Sequence, residues 1–129
     1  MDSAGLAQLA AEAADDRKAV DIRLLRVEQV TTLTEWFLIC SGLSDVQVRA
    51  IARSVEDRLE AEGSRLPLRR EGLSEGRWIL LDYGDLIVQV FTPQERRYYD
   101  LEAFWGHGES IPFLPASPVS TGTPPLSTP

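Results

Sequence analysis

The sequence has little cysteine, histidine or positive charge, and it lacks long apolar runs. Its one cysteine, Cys40, excludes an internal disulfide, and with one histidine, His107, the chain offers no Cys/His cluster for zinc. The formal net charge of −7 argues against binding nucleic acid chiefly through its phosphates, although a local basic patch is compatible with it. No apolar run is long enough to span a bilayer, and no basic segment precedes an apolar one as in a secretory leader. We therefore expect a soluble, cytoplasmic protein with no membrane contact and little direct nucleic acid contact.

What the sequence does contain is enough apolar surface for one folded domain. It has 129 residues, of which 43% are hydrophobic, and this is typical of a single domain with its own core. The hydrophobic periodicity predicts helices over 6–17, 44–62 and from 92 to near 105, and strands over 20–27, 35–40, 78–82 and 85–91. We expect the first two strands to pair. This order predicts a single α/β domain, in two or three layers, with a small mixed β-sheet flanked by helices.

The second helix has recognisable capping residues at both ends. Ser44 followed by Gln47 fits a capping box, in which the hydroxyl accepts from an early backbone N–H and the amide reaches back. Gly63 can adopt the left-handed conformation that ends many helices. Thr92 and Glu95 mark the start of the last helix in the same way. The apolar positions of the second helix fall on one face: Val48, Ile51, Ala52, Val55 and Leu59.

The last part of the chain differs in composition from the rest. From Gly106 onward it is rich in proline, serine and threonine, and it ends in "PASPVSTGTPPLSTP". Such a segment cannot bury enough apolar area to offset its ordering entropy. We therefore predict a folded domain at 1–106 and a disordered Pro/Ser/Thr-rich tail at 107–129.

Two acids three positions apart, Asp82 and Asp85, flank a short loop between two apolar runs. Carboxylates that share a cation usually lie on one strand face or converge from neighbouring strands. A hairpin loop explains these two acids better, because Gly84 can supply a positive φ while the acids accept from turn N–H groups. The alternative is a small Mg²⁺-dependent nucleotidyltransferase that combines these acids with the Ser41-Gly42 turn.

The turn at 40–45, "CSGLSD", is a strand-to-helix junction that could hold an anion against free helix N–H groups. It has one glycine and is not a phosphate loop ending in Lys-Ser or Lys-Thr, so a tight turn with a helix cap explains it. Cys40 ends an apolar strand and is predicted to be a small buried hydrophobe rather than a nucleophile.

Aromatic and arginine side chains are concentrated between 69 and 105. On the last predicted helix Tyr98, Leu101 and Trp105 share one stripe, whereas Tyr99 lies about 100° further round, so they cannot all face inward. One interpretation is that one stripe is core and the others are half-exposed. The other is a protein-binding surface, since Trp, Tyr and Arg anchor interfaces. The residues alone favour neither.

Two long segments resemble the ribosomal silencing factor family, also called Iojap or RsfS. They are "REGLSEGRWILLDYGDLIVQVFTPQERRYYDLEAFW" at 70–105 and "WFLICSGLSDVQVRAIA" at 36–52, and the resemblance covers about 5–106, with the later tail outside the family pattern. Two positions depart from the family. Glu35 stands where the family usually has aspartate, and Gln89 where histidine is common, and both keep a hydrogen-bonding group.

The resemblance implies a protein that acts by occupancy and is not an enzyme. Family members bind the fourteenth protein of the large ribosomal subunit on its intersubunit face and obstruct joining of the small subunit, which represses translation. The implied topology is nucleotidyltransferase-like without that activity, with no cofactor and with homodimers when free. A negative chain suits a basic ribosomal protein. As a hypothesis, the partner-binding surface comprises four apolar residues and four polar residues: Trp78, Tyr98, Tyr99 and Leu101, with Arg70, Glu71, Asp82 and Glu102.

Overall fold

The computed structural model describes residues 1–99 and 109–112. In chain order the elements are α1 (Ser3–Asp16), β1 (Val20–Arg26), β2 (Trp36–Ser41), α2 (Asp45–Gly63), β3 (Arg69–Glu71), β4 (Trp78–Asp82), β5 (Leu86–Phe91), α3 (Pro93–Tyr99) and β6 (Glu109–Pro112). A single α/β domain with a mixed sheet flanked by helices is confirmed. Within the described ranges no helix is both long and apolar enough to cross a membrane.

β2 and β5 form the parallel centre of a six-stranded sheet. The strand order is β3-β4-β5-β2-β1-β6, and every neighbouring pair except β2 and β5 is antiparallel. Every residue of β2 and of β5 is buried. Their central position explains why both strands are apolar on both faces. The predicted pairing of β1 with β2 is confirmed.

α1 and α2 pack side by side on one face of the sheet. The face of α2 predicted from its periodicity is buried throughout. α1 contributes five buried alanines, and these small side chains let the two helices come close enough for Ser54 Oγ to donate to the backbone oxygen of Ala13 at 2.9 Å. The strands complete this core with Leu38, Cys40, Ile79, Leu81, Leu86, Val88 and Val90.

The opposite face of the sheet carries a second, smaller apolar cluster. Its buried members are Leu25, Val27, Phe37, Ile39, Ile87 and Phe91. Trp78 and Leu80 of β4 pack against it and are only partly buried. β4 therefore lies at the margin of this cluster, where the sheet becomes accessible.

The start of α2 follows the sequence prediction, but its end does not. Ser44 is the N-cap, and its hydroxyl accepts from the backbone N–H of Gln47 at 3.1 Å. The Gln47 amide differs from the predicted capping box, because its oxygen accepts from the N–H of Leu43, one residue before the N-cap, while its nitrogen donates to two carbonyls in the α1–β1 turn. The prediction that Gly63 takes the left-handed conformation is wrong. Gly63 is the last helical residue, and Ser64 has φ 55°.

Two strands were not predicted. β3 lies between the predicted helix at 44–62 and the predicted strand at 78–82, where the sequence predicts no element, and its three residues are all exposed. β6 lies at 109–112, inside the segment predicted to be disordered, and pairs antiparallel with β1, so the prediction of disorder fails for these four residues. The helix predicted from 92 to near 105 is described as α3 up to Tyr99, and positions 100–105 and His107 lie outside the described residues. The domain boundary at 106 stays a prediction.

Candidate partner-binding surface

The register of β3 against β4 decides which side chains of the predicted surface share a face. Ile79 and Leu81 of β4 point into the core on the helix side, so the alternate residues of β4 point to the other side. Arg69 of β3 lies opposite Asp82, and directly opposed residues share a face. One surface therefore collects five side chains, which we call the β3–β4 face: Arg69, Glu71, Trp78, Leu80 and Asp82.

The surface expected from the sequence includes Arg70, but the Arg70 side chain points to the opposite side of the sheet. It pairs across the ladder with Leu81, and its Nε donates to Glu56 Oε2 of α2 at 3.0 Å. The hydrogen bond to Glu56 raises the pKa of the Arg70 guanidinium. Arg70 is thus separated from Glu71 by the thickness of the sheet. The two side chains therefore lie on opposite faces of this edge strand, and a partner contact by Arg70 stays a prediction.

Trp78 is the apolar centre of the β3–β4 face and has a fixed orientation. Its ring centroid lies 5.0 Å from that of Phe91, with the planes tilted by 31°. Its indole Nε1 donates to Gln89 Oε1 at 3.1 Å. Gln89 is buried in the sheet, so this hydrogen bond also satisfies the oxygen of a buried amide. The indole is held by contacts to β5 while part of it stays accessible.

Charged side chains surround Trp78 on the β3 side. Arg69 lies 3.3 Å from Glu71 and 3.7 Å from Asp82, measured between nitrogen and carboxylate oxygen. Arg69 and Glu71 are well exposed, and exposed ion pairs of this kind contribute little to stability. A partner can therefore replace these pairs at low cost. Arg69 is not part of the surface expected from the sequence, although the period of two in a strand places it with Glu71 once β3 is known.

The loop between β4 and β5 is the predicted hairpin, with the expected role confirmed for Asp82 and a different partner found for Asp85. Tyr83 N–H donates to the Leu86 carbonyl at 2.8 Å, and Gly84 has φ 91°. Asp82 accepts from the Gly84 N–H at 2.8 Å. Asp85 pairs with Arg65, which the sequence did not suggest, at 2.8 Å. This hydrogen bond raises the pKa of Arg65. Both acids therefore have structural partners.

The alternative metal site would need Ser41-Gly42 close to these acids, and the sheet keeps them apart. In the parallel register Trp36 pairs with Leu86 and Ser41 with Phe91. Asp85 directly precedes the first end, and the Ser41–Phe91 pair lies six residues further along, about 20 Å away at the usual rise of a strand. Among the described residues there is no group of three or more His, Cys, Asp and Glu side chains suited to a metal. These residues do not converge on one cation.

Cys40 is buried in the core beneath the helices, as predicted. Burial raises the pKa of its thiol to about 12, against a smaller opposite effect from the positive charge of Arg96. The thiol stays protonated at neutral pH, and a protonated thiol is a poor nucleophile.

The remaining members of the predicted surface belong to α3 and to the chain that follows it. Tyr98 and Tyr99 lie in the last turn of α3, and the structure describes the backbone but not the side chains there. Leu101 and Glu102 lie outside the described residues. α3 begins beside Trp78, because β5 ends at Phe91, the cross-strand partner of Trp78. The described backbone thus brings the start of α3 close to the β3–β4 face.

The sequence profile described as "Ribosomal silencing factor during starvation" matches residues 1–125. The chain belongs to the ribosomal silencing factor family. The match runs well beyond 106, so most of the Pro/Ser/Thr-rich segment is inside the matched region, in contrast to the extent expected from the quoted motifs.

Individual members of the silencing factor family agree with this assignment. The "Ribosomal silencing factor RsfS" of Bacillus subtilis is 43% identical over 106 residues, which cover 82% of this chain and 89% of that protein. "Protein Iojap, chloroplastic" of Zea mays is 37% identical over 101 residues, covering 78% of this chain and 43% of that protein. A crystal structure of a Chromobacterium violaceum protein superposes with a TM-score of 0.79 at 38% identity, covering 88% and 92% of the two chains.

Proposed function

We propose that this protein represses translation by binding the large ribosomal subunit, through the fourteenth ribosomal protein on its intersubunit face, and blocking small-subunit joining. Membership of the silencing factor family over residues 1–125 carries this proposal. The mechanism needs no reaction step, because a domain held at the subunit interface excludes the other subunit by its volume. We therefore propose a protein that is not an enzyme and uses no cofactor.

The β3–β4 face supports this proposal by its chemistry. A half-buried tryptophan with a fixed ring can bury apolar area on binding at little cost in side-chain entropy, and tryptophan is enriched among residues that dominate interface energies. The exposed charges beside it can exchange their pairing for partner groups. We propose that Trp78 anchors the contact, with Glu71, Asp82 and Arg69 at its rim. Tyr98, Tyr99, Leu101 and Glu102 extend this surface in the same proposal.

The charge of the chain favours a protein partner over RNA. At −7 the protein is repelled by phosphate backbones and attracted to a basic ribosomal protein. We propose little direct contact with ribosomal RNA, a cytoplasmic location, and homodimers when the protein is free. Sedimentation equilibrium of the free protein tests the last point.

Sedimentation of ribosomal subunits tests the function and the surface together. Purified protein added to separated subunits should keep them apart and should migrate with the large subunit. Trp78→Ala and Tyr98→Ala should lower both effects, while Val46→Ala, which trims an exposed apolar residue of α2, should not. Circular dichroism tests whether each variant is folded. Folded variants that block joining as well as the unaltered protein would refute the surface, and no effect of the unaltered protein would refute the function.

A further inference from the structure

A basic pocket on the helix side of the sheet is not part of the β3–β4 face. It lies between α2 and the segment that runs from β3 towards β4, and it has a volume of about 290 Å³. Its lining contains three guanidinium groups and one carboxylate, a formal charge of +2 in a chain whose total is −7. Because the chain as a whole repels anions, this concentration of positive charge is a local feature. The lining residues are Arg49, Arg53, Glu56, Arg70 and Leu73.

Two of the arginines are held in place by the fold. Arg70 donates through Nε to Glu56, and its two Nη groups make no hydrogen bond within the described residues. Arg49 pairs with Asp45 at 3.0 Å and packs against Gly76, where a Cβ atom would come within 2.6 Å of Arg49 Nη1. Their guanidinium groups are thus oriented before any ligand arrives, which lowers the entropy cost of binding.

Arg53 is the third arginine, one helical turn beyond Arg49 on the same face of α2. It has no ion pair or hydrogen bond with any residue that the structure describes. The pocket therefore combines donors that are fixed with donors that are unused.

We propose that this pocket binds a phosphate group. The charged lining side chains sum to +2, and Asp45, which pairs with Arg49, lowers the local charge to +1, so a phosphate monoester with its charge of −1.5 to −2 meets an excess of positive charge. Planar guanidinium forks bind phosphate oxygens in pairs, so the free Nη groups of Arg70 and the unpaired Arg53 suit this ligand. The volume is at the lower end of ligand pockets, which fits a small group. The exposed side chain of Leu73 provides an apolar wall for the molecule that carries the phosphate.

Titration of the free, full-length protein with pyrophosphate, followed by backbone amide NMR shifts at constant ionic strength, tests the proposal. Saturable shifts should map to 49–56 on α2 and to 70–76 beside it. Arg53→Gln should raise the dissociation constant about tenfold, because it removes a charged donor that has no structural role. The matched control is Arg17→Gln, which removes one exposed positive charge outside the pocket.

Two results would overturn the proposed phosphate site. Shifts that do not saturate, or an equal weakening by Arg53→Gln and Arg17→Gln, overturn the proposal, because binding would then follow net charge alone. A parallel titration with a single-stranded oligoribonucleotide identifies the source of the phosphate. Tighter, Arg53-dependent binding of the oligonucleotide assigns the pocket to an RNA backbone, and tighter binding of pyrophosphate assigns it to a small phosphate compound. Ribosomes are absent from these measurements, so their result is independent of the proposed function.

Discussion

The two sides of strand β4 differ in accessibility although their residues alternate along one strand. On the helix side Ile79 and Leu81 are completely buried beneath α2. On the other side Trp78, Leu80 and Asp82 keep part of their surface accessible, next to the exposed edge strand β3. The same strand therefore supplies the core with one set of side chains and leaves the other set accessible, where we propose that a partner binds. The position of a residue in the alternation, more than its residue type, decides which role it has.

Substituting the two leucines of β4 should show the difference most strongly. Leu81→Ala leaves a cavity in the helix-side core and should lower the free energy of unfolding by about 2–5 kcal/mol. Leu80→Ala removes the same atoms from a partly exposed site and should cost about half as much or less. Urea denaturation measures both. Equal losses would mean that the two sides of β4 are equally part of the core.

Burial of the Cys40 thiol on the helix side should make the free energy of unfolding fall at alkaline pH. Its folded-state pKa of about 12 exceeds its ordinary value of 9.0, so the unfolded chain loses the thiol proton first as pH rises. This contribution to stability is complete below pH 9 and should be lost by about 1 kcal/mol per pH unit between 9 and 12. Denaturant titrations across this range measure the loss, and Cys40→Ala should show a shallower fall. Burial also raises the pKa of Tyr83, so some decline should remain in that variant.

Trp78→Phe should have a smaller effect, on the accessible side. The substitution keeps a ring next to Phe91 but removes the indole N–H that Gln89 accepts. Leaving that buried amide oxygen without a donor should cost about 1 kcal/mol in the free energy of unfolding. Trp78→Phe with Gln89→Leu should recover part of this loss, because the unsatisfied oxygen is then gone. Additive losses in a double-mutant cycle would show that the hydrogen bond does not couple the two side chains.

The sequence predicted elements that carry their own local signals. α2 has both a helical period and a cap at Ser44, and the β4–β5 turn has Gly84 between two acids. β3 has no such signal, because its three exposed polar residues are ordered by pairing with β4, and the same holds for the pairing of β6 with β1. Non-local partners of this kind cannot be read from a short window of sequence.

The predicted surface shows the same limit at single residues. The surface expected from the sequence includes both Arg70 and Glu71, but adjacent strand residues point to opposite faces, so only one of the two can lie on the β3–β4 face. The same alternation brings in Arg69. Arg65 illustrates a different gap, because its pairing with Asp85 depends on the path of the chain after α2. The residue types on the surface were therefore predicted better than the directions and partners of their side chains.

Glu71→Arg should have the smallest effect on stability and yet should lower partner binding, so it separates a contribution to the fold from a contribution to the proposed contact. Glu71 is exposed and has only an exposed ion pair with Arg69 to lose, so the free energy of unfolding should change by no more than about 0.5 kcal/mol. If the β3–β4 face contacts a basic ribosomal protein, the reversed charge should still weaken binding to the large subunit. Co-sedimentation at low salt measures this loss of binding, and the loss should become smaller as the salt concentration rises. Glu75→Arg is the matched control, since it makes the same charge change at an exposed residue that pairs with Arg77 outside this face. Equal weakening by both variants would show that binding depends on net charge alone, and this would refute the β3–β4 face as the contact surface.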